Sequence, residues 1–446
     1  MDNTLAYIDQ GSFLGLRALG RGPLPQFIWI YEHPVDLEGL RRFHRNLGSG
    51  LLGRRVERSP LPFGRHHWVT WRGPADIELS AKMRPRSEVF AWADEQLRLP
   101  IDPEYGPSWR LAVQLLTGGG AAVSLVTSHT VSDGLAFTQA VAEAAGGLTR
   151  DLGYPEPASR PRSQALREDG LQMARAVPEM AKAAAAAVRL ARNNKGELNT
   201  SAVRSAPAAK VDDTKLVAAP MVAVFIDERL WLERVEALGG TSNSLFAGIA
   251  ARIGQLVGRV DGNGMVKLSM PVSERTEGDT RGNALTGMMV TVDPRGVATS
   301  LSGIRAELKK NLADLSENGL DLLGPLALTP LVPVRLARRL EGMALGSDAP
   351  VGCSNLGQVP APVNRPDGTD AEFMIARQGE SRITAEILDR LGGMLFLASL
   401  RANGKVSLSV TSWKAGGPNT RDELATWVRT ALDDFGLPAV FEPASR

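Results

Sequence analysis

The stretch Ser128-His129-Thr130-Val131-Ser132-Asp133-Gly134 decides how the rest of the chain is read. An apolar, β-prone run, Ala121-Ala122-Val123-Ser124-Leu125-Val126-Thr127, leads into it. A helix-like run from Leu135 to Ala145 leads out. His129 therefore falls at the turn between a buried strand and a helix, where α/β proteins place reacting groups. Imidazole is the side chain best suited to move a proton near neutral pH. Gly134 permits a tight turn and brings a bare backbone N–H near whatever His129 faces. Asp133 lies four residues on, and that spacing alone does not make it the partner of the ring. Ser128 as a nucleophile is disfavoured: adjacent extended residues face opposite ways, and no Gly-x-Ser-x-Gly elbow surrounds it.

Outward from this stretch, Leu111 to Leu116 reads as a strand, and Gly118-Gly119-Gly120 turns it back into the motif strand as a hairpin. The glycine triplet lacks a following Lys-Ser/Thr, so it is a turn and not a phosphate cradle. Upstream, Phe27 to Tyr31 predicts a strand, while Leu37 to Leu47 and Val89 to Leu97 predict helices. His66-His67 invites a metal reading, but neighbouring strand residues point to opposite faces and no second His or Cys cluster lies near. Structural roles are expected for both, and His33 and His44 are expected at the surface or at caps.

Residues 151–218 differ in kind. Pro155, Pro157 and Pro161 break the chain, and Glu168 to Arg192 then predicts an Ala-rich helix interrupted or kinked near Pro178. The helix lacks bulky apolar residues, which favours a linking role over a membrane-surface one. Residues 193–218 read as a mobile crossover. The division is thus 1–160, 161–218 and 219–446. Beyond it come strands at Met221–Ile226, Val266–Pro271 and Gly287–Val292. Helices follow at Leu230–Leu238, after a Thr241 or Ser242 cap, and at Ser300–Leu315. Met343–Pro350 reads as a loop. Asn403-Gly404 marks a hairpin between Met394–Leu400 and Lys405–Ser412, and Thr420–Phe435 predicts the last helix. Asp434-Phe435-Gly436 reads as that helix's glycine cap.

The chain of 446 residues has room for a large core in two halves. Lys+Arg 51 against Asp+Glu 49 gives no basic excess, so nucleic acid is not an expected partner. The single cysteine, Cys353, excludes an intrachain disulfide, points to a reducing compartment and reads as a small buried hydrophobe. The N-terminus lacks a basic-then-apolar segment, and no run reaches about 18 apolar residues. A cytoplasmic location follows, compatible with peripheral contact with a membrane or lipid droplet.

The pattern His-x-x-x-Asp-Gly resembles the His-His-x-x-x-Asp-Gly motif of the CoA-dependent acyltransferase superfamily, which includes condensation domains. Further segments are similar to its wax ester synthase/diacylglycerol acyltransferase branch. These are Pro107-Ser108-Trp109, Ser242-Asn243-Ser244-Leu245-Phe246-Ala247, Met270-Pro271-Val272-Ser273-Glu274-Arg275 with Gly282-Asn283, and Ser354-Asn355-Leu356-Gly357. Three departures stand out: Ser128 replaces the first motif histidine, Ser108 replaces a leucine, and the second segment lacks its aspartate. The resemblance implies two chloramphenicol-acetyltransferase-like mixed α/β lobes forming a pseudo-dimer with a tunnel between them. It implies His129 as general base, an oxyanion contact from Gly134 or from Ser354 or Asn355, and Asn283, Ser354 and Asn355 at the substrate. It also implies an Asp133–Arg275 pair that holds the loop, with Ser128 as a packing position. The expected co-substrate is acyl-CoA, with no metal or other cofactor, and the acceptor is a hydroxyl, of a lipid by this branch. The alternative is a condensation-type or inactive binding protein for carrier-borne acyl chains.

Overall fold

The computed structural model describes residues 3–193, 213–332 and 349–442. Helix α1 (Tyr7–Leu19) precedes strand β1 (Pro23–Tyr31) and helix α2 (Leu37–Gly48). The small hairpin β2 (Arg54–Glu57) and β3 (His67–Thr70) follows, then β4 (Glu78–Leu79) and α3 (Val89–Arg98). The hairpin β5 (Trp109–Leu115) and β6 (Ala121–Thr127) delivers the chain to α4 (Gly134–Ala145), and α5 (Arg162–Asn193) leaves the lobe.

The second lobe begins with β7 (Met221–Asp227), α6 (Glu228–Ala237) and α7 (Ser242–Val257). Strands β8 (Val266–Ser273) and β9 (Leu285–Val292) pair antiparallel and lead to α8 (Ser302–Leu323). Then come β10 (Val351–Gln358), β11 (Phe373–Glu380), the hairpin β12 (Met394–Ala402) and β13 (Lys405–Trp413), α9 (Arg421–Asp434) and β14 (Val440–Glu442).

Two sheets carry the architecture, in the orders β11-β1-β6-β5-β4 and β14-β7-β13-β12-β10-β8-β9. Their central parts repeat one topology. In the first, β1 pairs antiparallel with the second strand of the β5–β6 hairpin, and β4 lies parallel to the first. In the second, β7 pairs with the second strand of the β12–β13 hairpin, and β10 lies parallel to the first. A helix follows each hairpin, α4 and α9. The two mixed-sheet lobes implied by the motif resemblance are therefore present. The turn between β6 and α4, which carries His129, has its topological equivalent between β13 and α9, which carries no histidine.

Burial explains the apolar runs. Every residue of β6 is buried. Val123 and Leu125 join a core with Phe27, Trp29 and Phe137, while Ala122 faces Ile28, Phe90 and Trp92 of α3. A strand covered on both faces reads as a continuous hydrophobic run and not as an alternation. β7 works the same way across the lobe boundary. Val222, Val224 and Ile226 enter the second lobe's core, and Met221, Ala223 and Phe225 pack against the first lobe's α3 and β1.

One segment departs from the three-part division. β11, from the second half, pairs along eight residues with β1 and closes the outer edge of the first sheet. Arg377 fixes it there: its Nε donates to Gln26 Oε1 at 2.6 Å and its Nη1 to Asp94 Oδ1 at 2.7 Å. Arg421 at the start of α9 reaches the same carboxylate at 2.6 Å. Pro178 lies within a single helix, α5, with no break assigned there. Ser59 and His67 both bond Asp169, which anchors the first turns of α5 to the first lobe. The crossover expected as mobile falls largely at 194–212, and the Met343–Pro350 loop largely at 333–348, both outside the described residues.

Local signals gave the expected ends. Thr241 caps α7 in a reciprocal capping box with Ser244, and Thr420 caps α9. Asn403 and Gly404 take φ of 48° and 70° in the β12–β13 turn. Gly436 ends α9 at φ 62°. Among the described residues, no helix is long and apolar enough to cross a membrane.

Candidate active site

Strand β6 ends at Thr127, and the next six residues form a turn that Asp133 closes by capping α4, its Oδ1 accepting from Ala136 N at 2.7 Å. The other carboxylate oxygen accepts from Arg275 Nη2 at 2.9 Å and from Ala284 N at 2.8 Å. Arg275 is itself wrapped by carbonyls, donating to Asp279 O, Arg281 O and Gly282 O. Both side chains of the pair are nearly buried, at 4% and 7% exposure. A buried charge needs a charged or multidentate partner, and the planar guanidinium supplies it. Asp133 thus ties the motif turn to the second lobe, as the resemblance implied. The hydrogen bonds of its two carboxylate oxygens go to these groups and not to the His129 ring.

Further contacts clamp the same turn. Asp133 N donates to Gly282 O at 2.8 Å, and Asn283 Nδ2 donates to His129 O at 2.9 Å. Arg54, fully buried on β2, donates to Val131 O at 2.8 Å and to Thr280 O, and its guanidinium stacks 4.5 Å from the Trp68 ring. Ser12 and Thr130 share a hydroxyl hydrogen bond of 3.1 Å. The approach of the two lobes is close: a Cβ on Gly282 would lie 2.8 Å from Thr130 O.

His129 itself is half-buried. Desolvation lowers its pKa below the usual imidazole value, opposed by the Asp133 carboxylate, by the ring's hydrogen bond to its own carbonyl and by the Asn283 side chain. The ring is therefore held in the neutral form at pH 7, as a proton acceptor must be. Nδ1 is the ring nitrogen near enough to the backbone to reach the residue's own carbonyl, which leaves Nε2 as the nitrogen to accept a proton.

Ser128 is buried, and its Oγ accepts from Thr130 N at 3.3 Å. Ser128→Ala removes one neutral hydrogen bond, worth about 1 kcal/mol. The variant is expected to lose no more than about that in unfolding free energy, measured in denaturant; a loss above about 3 kcal/mol would contradict a packing role for Ser128.

Gly134 is the first residue of α4, where no carbonyl one turn earlier accepts its N–H. Leu356 of β10 packs against it, so closely that a Cβ on Gly134 would lie 2.9 Å from Leu356 Cδ2. Ser354 shares a strand face with Leu356 and is half-buried. Asn355 has its amide committed, donating to Asn243 Oδ1 at 2.6 Å and accepting from Gly357 N at 3.0 Å. The two motif segments around Asn243 and Asn355 are thus in contact.

Asn283 is held largely inside the protein. It is 2% exposed, and its amide nitrogen donates to Asp9 Oδ1 at 2.9 Å as well as to His129 O. Its amide nitrogen is therefore committed inside the protein and is not free to donate to a substrate. Asp9 and Arg54 were not singled out in the sequence. Both carried a weak signal: Asp9 lies four residues before Phe13 on one helix face, and Arg54 alternates with Val56.

The other histidines are structural. His67 Nε2 pairs with Asp169 at 3.0 Å, and His66 Nδ1 accepts from Ser59 N. His33 Nε2 lies 3.2 Å from Asp370 O at the surface. His44 is not the surface or cap residue expected: it is buried, its ring 5.0 Å from that of Trp109. It lies on the apolar face of α2, one residue after Phe43 and three before Leu47. Trp109, from the Pro-Ser-Trp segment, is a core residue whose indole donates to Leu52 O at 3.1 Å. Cys353 is buried, and its desolvated thiol is pushed far above the thiolate range, which leaves a small hydrophobe and no nucleophile.

No family model and no curated protein matches the sequence. Solved structures do match. The chain is similar to polyketide synthase associated protein 5 from Mycobacterium tuberculosis, with TM-score 0.54 at 12% identity over 96% of this chain and 97% of that one. It is also similar to the first condensation domain of the calcium-dependent antibiotic synthetase, with TM-score 0.56 at 14% identity over 100% and 98%. A third is F. sporotrichioides TRI101 complexed with coenzyme A and T-2, with TM-score 0.55 at 12% identity over 99% and 100%. At such identities the likeness establishes the fold of the CoA-dependent acyltransferases and condensation domains. It does not reach down to the wax ester synthase/diacylglycerol acyltransferase branch.

Proposed function

We propose that the protein is an acyltransferase that moves an acyl group, long-chain by motif resemblance, from acyl-CoA to a lipid hydroxyl. The observation that carries this reading is a histidine, His129, on a turn clamped from both lobes by the Asp133–Arg275 pair and by the Asn283 bond to its carbonyl. An alcohol is a poor nucleophile until its proton is removed. His129 Nε2 takes that proton as the oxygen attacks the thioester carbonyl. The tetrahedral oxyanion forms beside the N-terminus of α4, where the Gly134 N–H and the positive end of the helix dipole favour negative charge. Ser354 is the better-placed side chain for the same task, because the Asn355 amide is already engaged. The C–S bond then breaks, and the imidazolium returns its proton to the thiolate, releasing an ester and free CoA. By the motif resemblance, donor and acceptor approach from opposite ends of the lobe interface.

The full-length alignment with a condensation domain favours one alternative, an acyl chain presented on a carrier protein. Incubation with labelled palmitoyl-CoA, or with palmitoyl-loaded carrier protein, and a panel of fatty alcohols, diacylglycerol and amines separates the two. The reading expects a labelled lipid ester from the CoA donor. Product from the carrier donor alone would replace it with the condensation-type reading, and no product from either would leave a binding protein.

A further inference from the structure

We propose that Asp9, on helix α1, is a positioning residue for His129 and acts through Asn283. The carboxylate is wholly buried, and its partners form an ordered chain. Asp9 Oδ1 accepts from Asn283 N at 2.7 Å and from Asn283 Nδ2 at 2.9 Å, while Oδ2 accepts from Gly282 N at 3.1 Å. The same Asn283 Nδ2 donates to His129 O, the carbonyl on which the His129 ring closes its own hydrogen bond. Carboxylate, amide, carbonyl and imidazole are thus connected in series, from α1 of the first lobe through the 282–284 strap of the second and back to the motif turn.

The chemistry gives each member a task. A primary amide can rotate about its side-chain torsions, and two donors on one nitrogen need two fixed acceptors to hold it. Asp9 supplies one, His129 O the other. Held this way, Asn283 fixes the carbonyl that in turn fixes the ring's Nδ1 and its tautomer, leaving Nε2 as the acceptor nitrogen. Arg54 balances the buried carboxylate electrostatically, and Asp133 with Arg275 holds the other end of the turn. Burial raises the Asp9 pKa, and Arg54 together with the Asn283 and Gly282 donors opposes that rise.

The kinetic consequence rests on His129 being the base in the proposed reaction, but the test does not. The His129 imidazole is titrated by NMR in the full chain for wild type, Asp9→Ala, Asp9→Asn, Asn283→Ala and the Asp9→Ala/Asn283→Ala double variant. Asp9→Ala frees the Asn283 side chain, whose contact raises the ring pKa, so the His129 midpoint is expected to fall. Asn283→Ala should give the same shift, and the double variant should add nothing. Asp9→Asn keeps one oxygen for the Asn283 donors and should restore most of the wild-type midpoint. Asn283→Ala leaves Asp9 bound to both backbone N–H groups, so α1 stays docked and the measurement stands if Asp9→Ala fails to fold. A merely structural Asp9 would lower stability with no change in the imidazole of the folded protein. An unchanged midpoint in Asn283→Ala, or additive shifts in the double variant, would overturn the proposal. A shifted midpoint in a protein without transfer activity would uphold it and discard the proposed reaction instead.

Discussion

Replacing His129 with alanine is expected to lower kcat/KM for acyl transfer by about 10²- to 10⁴-fold, with unfolding free energy changed by no more than about 1 kcal/mol. The size follows from the proposed chemistry. The acceptor hydroxyl loses its proton only to a positioned base, and the ring is the near-neutral titrating group of the motif turn. The small stability effect follows from the geometry: the turn is held through the backbone carbonyls of His129 and Val131 and through Asp133, none of which the substitution removes. Denaturant unfolding and product formation, measured on one preparation, check both halves. Turnover within a factor of about two of wild type would end the general-base assignment.

The second large effect is on stability. Asp133→Ala leaves Arg275 buried and opposed only by carbonyls, and a buried ion pair broken from one side costs on the order of 3–5 kcal/mol. It also strips the cap from α4 and the acceptor from Ala284 N, so its cost should exceed that of Arg275→Ala by about 1 kcal/mol. Because the two side chains meet at 2.9 Å, the double variant should cost clearly less than the sum of the singles, with a coupling of about 0.5–3 kcal/mol. Activity should fall with stability, since His129 rides on the turn being held. Additive costs in denaturant titrations would show that the pair does not hold the turn.

Much of this fold could be read locally. The Asn403-Gly404 turn, the Thr241 and Thr420 caps and the β-prone runs of β1, β6 and β7 declare themselves within a few residues. β11 did not: Phe373–Glu380 carries Arg377, Gln378 and Glu380, and looks polar because its burial is met by Gln26 and Asp94, far away in sequence. The internal duplication was hidden for a related reason, since sheet order and direction repeat while side chains do not. At the site, the His129 and Gly134 positions and the Asp133–Arg275 pair followed from one motif and its resemblance. The support behind them did not. Asp9 on an amphipathic helix and Arg54 in an Arg-Arg pair look like solvated charges, and only the docking of α1 and β2 against the 280–284 strap shows that both are buried. Asn283 was found by its motif, but its bonds to Asp9 and to the His129 carbonyl were not, because they join segments far apart in sequence.

The neutral imidazole is the centre of the account, and the pH dependence of kcat/KM tests it most directly. Burial lowers the His129 pKa, so the ring protonates only as pH falls below its ordinary value. The base is therefore fully available at pH 7, and activity is lost on the acid side. The expected profile is flat from about pH 7 upward, with a single-proton acid limb whose midpoint lies below about 6.5 and matches the directly titrated imidazole. A midpoint above about 6.5, or an acid limb whose midpoint differs from that of the directly titrated imidazole, would contradict it.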